Sequence, residues 1–221
     1  MRYDFIAEFF AKPTDKEPIY RTRLNEIQSE CNFLKAILDI YFPDKETEFI
    51  CIGGVGNLFN ESNVNQMHQA QIEGNQVVVL VDADSVAKGY GYKKRKADID
   101  NGLTANNISF PYFIYPNNRD DGEVEVLMES AARRDLHSIF FDCFEDYEKC
   151  VSGVKDEQGQ PLYNTPNLKG KLHTYMNAQK LSSRLRTKLG SGDWLFNEKE
   201  YWDLDVEALQ PLKDFFAKNL K

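Results

Sequence analysis

The sequence is poor in cysteine and has no long apolar run, and each absence excludes a class of protein. The longest uninterrupted apolar run, Val77 to Val81, is far too short to cross a bilayer, and the first residues lack the apolar core of a secretory leader. We therefore expect a soluble, cytoplasmic protein without a membrane partner. Its few cysteines include no Cys-x-x-Cys pair, which argues against a disulfide-stapled secreted scaffold. We interpret them as reduced thiols of the core: Cys31, Cys51, Cys143 and Cys150.

The chain also lacks an excess of positive charge. Its formal net charge is -8, which argues against a protein that wraps nucleic acid with its whole surface but allows a local basic groove. With 221 residues, of which 42% are hydrophobic and 28% charged, the chain falls in the globular range and outside the disordered classes. A length of this size corresponds to one domain or slightly more.

The first two thirds of the sequence alternate between strand-like and helix-like patterns. Val77 to Val81 is a β-branched run typical of a strand that is covered on both faces of a parallel sheet. The alternation predicts an α/β fold with a mostly parallel sheet and helices on both faces. The expected strands are 17–25, 49–52, 77–81 and 110–115, and the expected helices between and after them are 28–41, 60–72 and 123–134.

The last third is predicted to be mostly helical. Helices are expected at 135–151, 171–188 and 206–220, and a loop rich in glycine, proline and amide side chains covers 153–170. We predict a sheet domain at 1–150 and a helical C-terminal extension at 151–221 packed on it. The loop could equally be an excursion within a single domain.

Acidic residues are expected at the carboxyl ends of three predicted strands. These are Glu26, the pair Asp82 and Asp84, and Glu123 with Glu125. In a parallel sheet these ends share one edge, and gathered carboxylates repel one another unless a cation neutralises them. Oxygen ligands select a hard ion such as Mg²⁺ or Mn²⁺. The alternative is that some of these acids only cap helices.

Several segments, taken in order, resemble the Toprim domain. The segment from Glu26 to Leu34 resembles the opening Glu-Gly-x-x-Asp-x-x-Phe-Leu of that domain, with Glu30 in the place of its second acid, and Val81 to Asp84 is similar to its Asp-x-Asp motif. The chain departs from the pattern at Ile27, where Toprim proteins usually have glycine. Further segments are similar to a single-domain Toprim-like group related to OLD-type nucleases: Ile52 to Leu58, Ile114 to Asn117, Gly122 to Met128 and Tyr201 to Asp205.

The resemblance implies a Toprim-like fold and magnesium-dependent chemistry on nucleic-acid phosphodiesters, as in a nuclease. It implies that Asp82 and Asp84 hold Mg²⁺ or Mn²⁺, that Glu26 shares the ion or transfers a proton, and that Glu125 completes the acidic cluster. A metal in such a cluster polarises a phosphoryl group and lowers the pKa of a bound water. Fold analogy alone does not fix the reaction, so catalysis stays open.

Two basic stretches are candidates for contacts with nucleic acid. The run Lys93, Lys94, Arg95 and Lys96 follows the Asp-x-Asp closely and has two tyrosines beside it that could stack on bases. A second basic stretch, 180–188, has leucines on the opposite stripe. Both could also be ordinary solvated helix faces.

Three functions therefore remain in view. The first is a metal-dependent enzyme that acts on nucleic acid, with DNA expected rather than RNA. The second is a non-catalytic Toprim-like module that binds nucleic acid or a nucleotide, with Ile27 as the sign of lost catalysis. The third is a subunit that works beside a partner ATPase, because the OLD-type relatives carry an ATPase domain that this chain lacks. A homo-oligomer is open under each of them.

Overall fold

The computed structural model describes residues 2–7, 19–52, 54–190 and 192–220; for 2–7, 19–28 and Cys51 it describes the backbone alone. Within these ranges the chain is a mixed α/β protein built on a parallel four-stranded sheet. The strand order is β2-β1-β3-β4. The strands are β1 (Arg2–Ala7), β2 (Glu46–Cys51), β3 (Gln76–Asp82) and β4 (Tyr112–Tyr115).

Helices connect the strands and cover the sheet. A parallel strand pair needs a crossover connection, and helices supply it here. Among the described residues no helix is long and apolar enough to span a membrane. The helices are α1 (Ile19–Tyr41), α2 (Glu61–Ile72), α3 (Tyr92–Asn106), α4 (Val124–Ala131), α5 (Ser138–Ser152), α6 (Leu168–Asn177), α7 (Ser183–Gly190) and α8 (Gln210–Asn219).

Strand β3 divides the interior into two cores, as its continuous β-branched run predicts. Val78 and Leu80 belong to one core, with α1, α4, α6 and α8, whereas Val77, Val79 and Val81 belong to the other, with α2 and α3. Side chains of a strand alternate between its two faces, so a strand with helices on both sides is apolar throughout. The prediction of a parallel sheet covered on both faces is confirmed.

A glycine sets the spacing between α3 and the segment before α2. A Cβ atom built on Gly102 would lie 2.1 Å from the Phe59 ring, which stacks on Phe110 at a centroid distance of 6.3 Å. Only hydrogen fits between this turn of α3 and the ring. The close approach of α3 to the Phe59 ring therefore depends on glycine at position 102.

The predicted strand at 17–25 is wrong over its described part, because residues 19–25 form the first turns of α1. The alternation seen there coexists with a spacing of three and four residues from Tyr20 through Leu24 to Ile27, which continues into the rest of the helix. The strand that the sequence analysis did not predict is β1, which lies between β2 and β3. Glu26 consequently lies inside a helix and does not follow a strand.

The C-terminal third differs in detail from the prediction. The expected helix 171–188 is two helices, α6 and α7, and a short turn of 3-10 helix, Glu207–Leu209, precedes α8. Leu172 and Phe216 pack in the same core as Phe113 of β4. Residues on both sides of the predicted boundary at 150 thus share one core, and the boundary itself stays a prediction.

The cysteines differ from the prediction as well. Cys143 and Cys150 are exposed on α5 and Cys31 is partly buried, so the interpretation of all four as core thiols is wrong for the first two. The amphipathic pattern of α5 places its phenylalanines, not its cysteines, in the core: Phe141 and Phe144 are buried.

Candidate functional site

The carboxyl end of β3 is joined to the loop before α4. Asp84 adopts the left-handed conformation with φ 57°, which aspartate tolerates better than most residues. Its backbone N–H donates to the Gly122 carbonyl and its carbonyl accepts from the Gly122 N–H, both at 2.9 Å. Gly122 itself has φ 151° and approaches Pro116 closely. This backbone bridge brings Asp84 beside Glu123, which is far from it in sequence.

Asp82, the last residue of β3, binds the start of α4. Its Oδ1 accepts a hydrogen bond of 2.8 Å from the Val124 N–H. The N-cap residue of that helix, Glu123, makes no side-chain capping hydrogen bond of its own. A carboxylate at a helix N-terminus satisfies an otherwise unpaired N–H and interacts favourably with the helix dipole. Asp82 thus has a structural role, in line with the helix-cap alternative.

Asp84 is held by a buried arginine of α3. The Arg95 Nη2 donates to Asp84 Oδ2 at 2.8 Å, and its Nε donates to the Asp82 carbonyl at 3.0 Å. The Arg95 side chain is only 4% exposed, and its guanidinium lies 4.6 Å from the centroid of the Tyr90 ring. Arg95 therefore belongs to the acidic site and not to an exposed basic face.

A lysine ammonium bridges two carboxylates at the same place. Lys88 Nζ lies 3.3 Å from Asp84 Oδ1 and also donates to Glu123 Oε1. The hydrogen bond that Lys88 donates to Glu123 is the main cause that raises the pKa of Lys88, and Asp84 adds to it. The Lys88 side chain is 56% exposed. The point between these two carboxylates is therefore a cation position whose present occupant lies at the surface.

A further carboxylate, Glu30 of α1, lies beside the Tyr115 hydroxyl. The Tyr115 hydroxyl is completely buried, and burial first, then the negative charges of Glu30 and Asp82, raise its pKa well above the usual value. The Glu30 side chain is buried as well. In the sequence Glu30 stands out only as part of the Toprim resemblance. Its helical spacing to Phe33 and Leu34, which place that face of α1 in the core, was the available signal.

The remaining predicted acids are not brought together by the described contacts. Glu26 lies in the second turn of α1, one turn before Glu30, and its side chain is outside the described residues. Glu125 is buried and pairs with Lys169 of α6 at 3.0 Å. In the described part of the chain no three histidine, cysteine or acidic side chains form a ready group for a metal ion. The carboxylate beside Asp84 is Glu123 rather than Glu125.

The basic run of α3 is largely compensated by acids of the same helix. Lys94 pairs with Asp98 at 2.8 Å and Lys96 with Asp100 at 2.5 Å, each one turn apart. Lys93 is exposed on this helix. The predicted nucleic-acid contacts at Lys93, Lys94 and Lys96 stay predictions, and the local charge balance gives them little support.

The donor atoms at this edge suit a magnesium ion. Mg²⁺ is commonly held by one or two carboxylates, with water and substrate phosphates as its other ligands. Asp84 Oδ1 and Glu123 Oε1 already face one cation, the Lys88 ammonium, on a side chain that is more than half exposed. The chemistry and placement of these oxygens therefore fit a hard divalent ion that takes the place of the ammonium.

Comparison with known families gives one match. Residues 24–221 match the family described as "Protein of unknown function (DUF3226)", so the chain belongs to that family. No curated protein and no solved structure matched.

Proposed function

We propose that this DUF3226 protein is a Toprim-like enzyme that uses Mg²⁺ or Mn²⁺ to act on phosphodiesters of nucleic acid, with DNA the expected substrate. The observation that carries the proposal is the cation position between Asp84 and Glu123, at the carboxyl end of a central parallel strand. In α/β sheets the crevice beyond these strand ends is the usual place for ligands. The order of the Toprim-like segments supports the same conclusion.

Each residue of the edge has a role in this proposal. Asp84 and Glu123 bind the ion, and Arg95 fixes the Asp84 carboxylate through its Oδ2 so that Oδ1 faces the site. Asp82 anchors the start of α4 and thereby positions Glu123. When bound, the metal supplies charge stabilisation at a phosphoryl group and a more acidic water. Glu26 keeps the role that the resemblance implies, either proton transfer or a share in binding the ion.

A non-catalytic binding module is the second candidate, and the Arg95 ion pair favours it. A buried cation beside Asp84 offsets its negative charge without any metal. Ile27, in the place of the usual Toprim glycine, points in the same direction. In this version the edge binds nucleic acid or a nucleotide but cleaves nothing.

A partner ATPase and a cytoplasmic location remain proposals, and affinity capture of the full chain tests the partner.

Nicking of supercoiled plasmid separates the two candidates. We expect wild type with Mg²⁺ or Mn²⁺ to convert supercoiled to open-circular DNA, and Asp84→Asn and Glu26→Gln each to lose this activity. Asp98→Asn is the matched control, because it removes an exposed carboxylate of α3 that pairs with Lys94 of the same helix. Equal nicking by wild type and Asp84→Asn contradicts the proposed site. No nicking by wild type, with DNA bound, supports the non-catalytic module.

A further inference from the structure

A second basic surface lies on and just before α7. Lys180, Arg184, Arg186 and Lys188 are all exposed, and we refer to these four residues as the α7 basic face. On the opposite side of the same segment Leu189 is buried, and Leu181 and Leu185 pack against the larger core. Because the leucines pack against the core, the cations on the opposite side of the segment face solvent.

The α7 basic face is much less compensated by acids than the run on α3. Lys188 pairs with Asp193 at 3.1 Å, and Arg186 donates to the Gln179 carbonyl at 3.3 Å. Within the described ranges, Lys180 and Arg184 form no ion pair. A chain with net charge -8 has many acids that could neutralise exposed cations. Exposed cations that have no acidic partner keep their full attraction for a polyanion.

Two contacts attach this region to the acidic edge. Lys169, at the start of α6, pairs with Glu125 at the start of α4. After α7, the Gly192 carbonyl accepts a hydrogen bond of 3.2 Å from the Asn32 side chain. Asn32 lies on α1, which shares the larger core with α4. The segment with α6 and α7 is thus held against the start of α4, the same end of the helix that Asp82 binds.

We propose that the α7 basic face binds the phosphodiester backbone of nucleic acid and leads the strand to the acidic edge. The inference rests on the proposed function, because it names the surface that holds the substrate of that site. Lysine and arginine contacts to phosphates release counterions and do not depend on sequence. Lys94 and Lys96 of α3 are paired with acids of their own helix and are not part of this surface.

Fluorescence anisotropy with labelled nucleic acid tests this inference. The probes are a 20-base-pair DNA duplex and a single strand of the same length, titrated with full-length protein in EDTA at several salt concentrations. The test variant is Lys180→Gln/Arg184→Gln, and the control Lys94→Gln/Lys96→Gln changes the net charge by the same amount. We expect the test variant to lower the slope of log affinity against log salt by about 1.8 for the duplex, about 0.9 per lost phosphate contact.

The outcomes separate this inference from the proposed function. A lower slope and weaker binding in the test variant, with the control close to wild type, support the α7 basic face. Equal binding by wild type and test variant overturns the inference, and plasmid nicking by the same variant then shows that the proposed function stands without it. A control that weakens binding more than the test variant also overturns it, since the contact would then lie on α3.

Discussion

Replacement of Arg95 by methionine tests whether this residue is the internal counter-ion of the acidic edge. Methionine keeps an unbranched side chain but removes the charge. The change removes a charge-assisted hydrogen bond to Asp84, worth about 1.5–3 kcal/mol. It also removes the bond to the Asp82 carbonyl and the contact with the Tyr90 ring, the latter about 0.5–1 kcal/mol. We expect a total loss of about 3 kcal/mol in unfolding free energy.

Thermal unfolding followed by circular dichroism measures the effect. For a chain of this size 3 kcal/mol corresponds to a fall in Tm of about 6–12 °C. Arg119→Met is the control, because Arg119 is 78% exposed and pairs with its sequence neighbour Asp120. The Tm of this variant should stay within about 2 °C of wild type. Combined with Asp84→Asn, Arg95→Met should cost clearly less than the sum of the two single changes. A small shift, or strict additivity, would refute the buried ion pair.

Three further predictions concern the edge, the packing of α3 and the acid limb of stability. Lys88→Met should raise the affinity for Mn²⁺, measured by calorimetry, because it removes the competing ammonium. The same change should alter the unfolding free energy by less than about 1 kcal/mol. An unchanged Mn²⁺ affinity would contradict the prediction. Gly102→Ala should lower the unfolding free energy, measured in urea, by about 1–3 kcal/mol, because the new methyl group clashes with the Phe59 ring. Gly190→Ala is the control and should leave the unfolding free energy unchanged, because a Cβ atom there meets nothing within 4 Å. Lys213 is the main cause that lowers the pKa of Asp205, so the stability from this pair is present above about pH 4 and is lost as pH falls through the lowered pKa. In urea unfolding between pH 6 and pH 3, Asp205→Asn should lose less unfolding free energy than wild type as the pH falls. An equal loss in both proteins would contradict the contribution of this pair.

The sequence predicted the parts of the fold that leave a local signal. The β-branched run of β3 and the three- and four-residue spacing of α2 and α4 depend only on neighbours in the chain, and all three elements form close to the expected residues. Strand β1 is short and carries Arg2 and Asp4 among its apolar residues, so its pattern was too weak to predict. The alternation at 17–25 was weaker evidence than the continuous helical spacing across α1.

The site was harder to predict because its pairings are long-range. Asp82 and Asp84 were expected at the end of a buried strand, and that position is confirmed. The partnership of Lys88 with Glu123 depends on the backbone bridge at Gly122, which no local pattern reveals. Arg95 was interpreted as part of a basic run, since a sequence shows the charge of a side chain but not the direction of a helix face.

Manganese binding followed by electron paramagnetic resonance tests the central claim most directly. We expect wild type to bind Mn²⁺, Asp84→Asn/Glu123→Gln to lose at least most of this binding, and Asp98→Asn/Asp100→Asn, which removes the same charge from α3, to bind like wild type. The loss follows from the two oxygens that face the Lys88 ammonium. Equal binding by wild type and the edge variant, or no binding by wild type, would contradict a divalent-cation site at the end of β3.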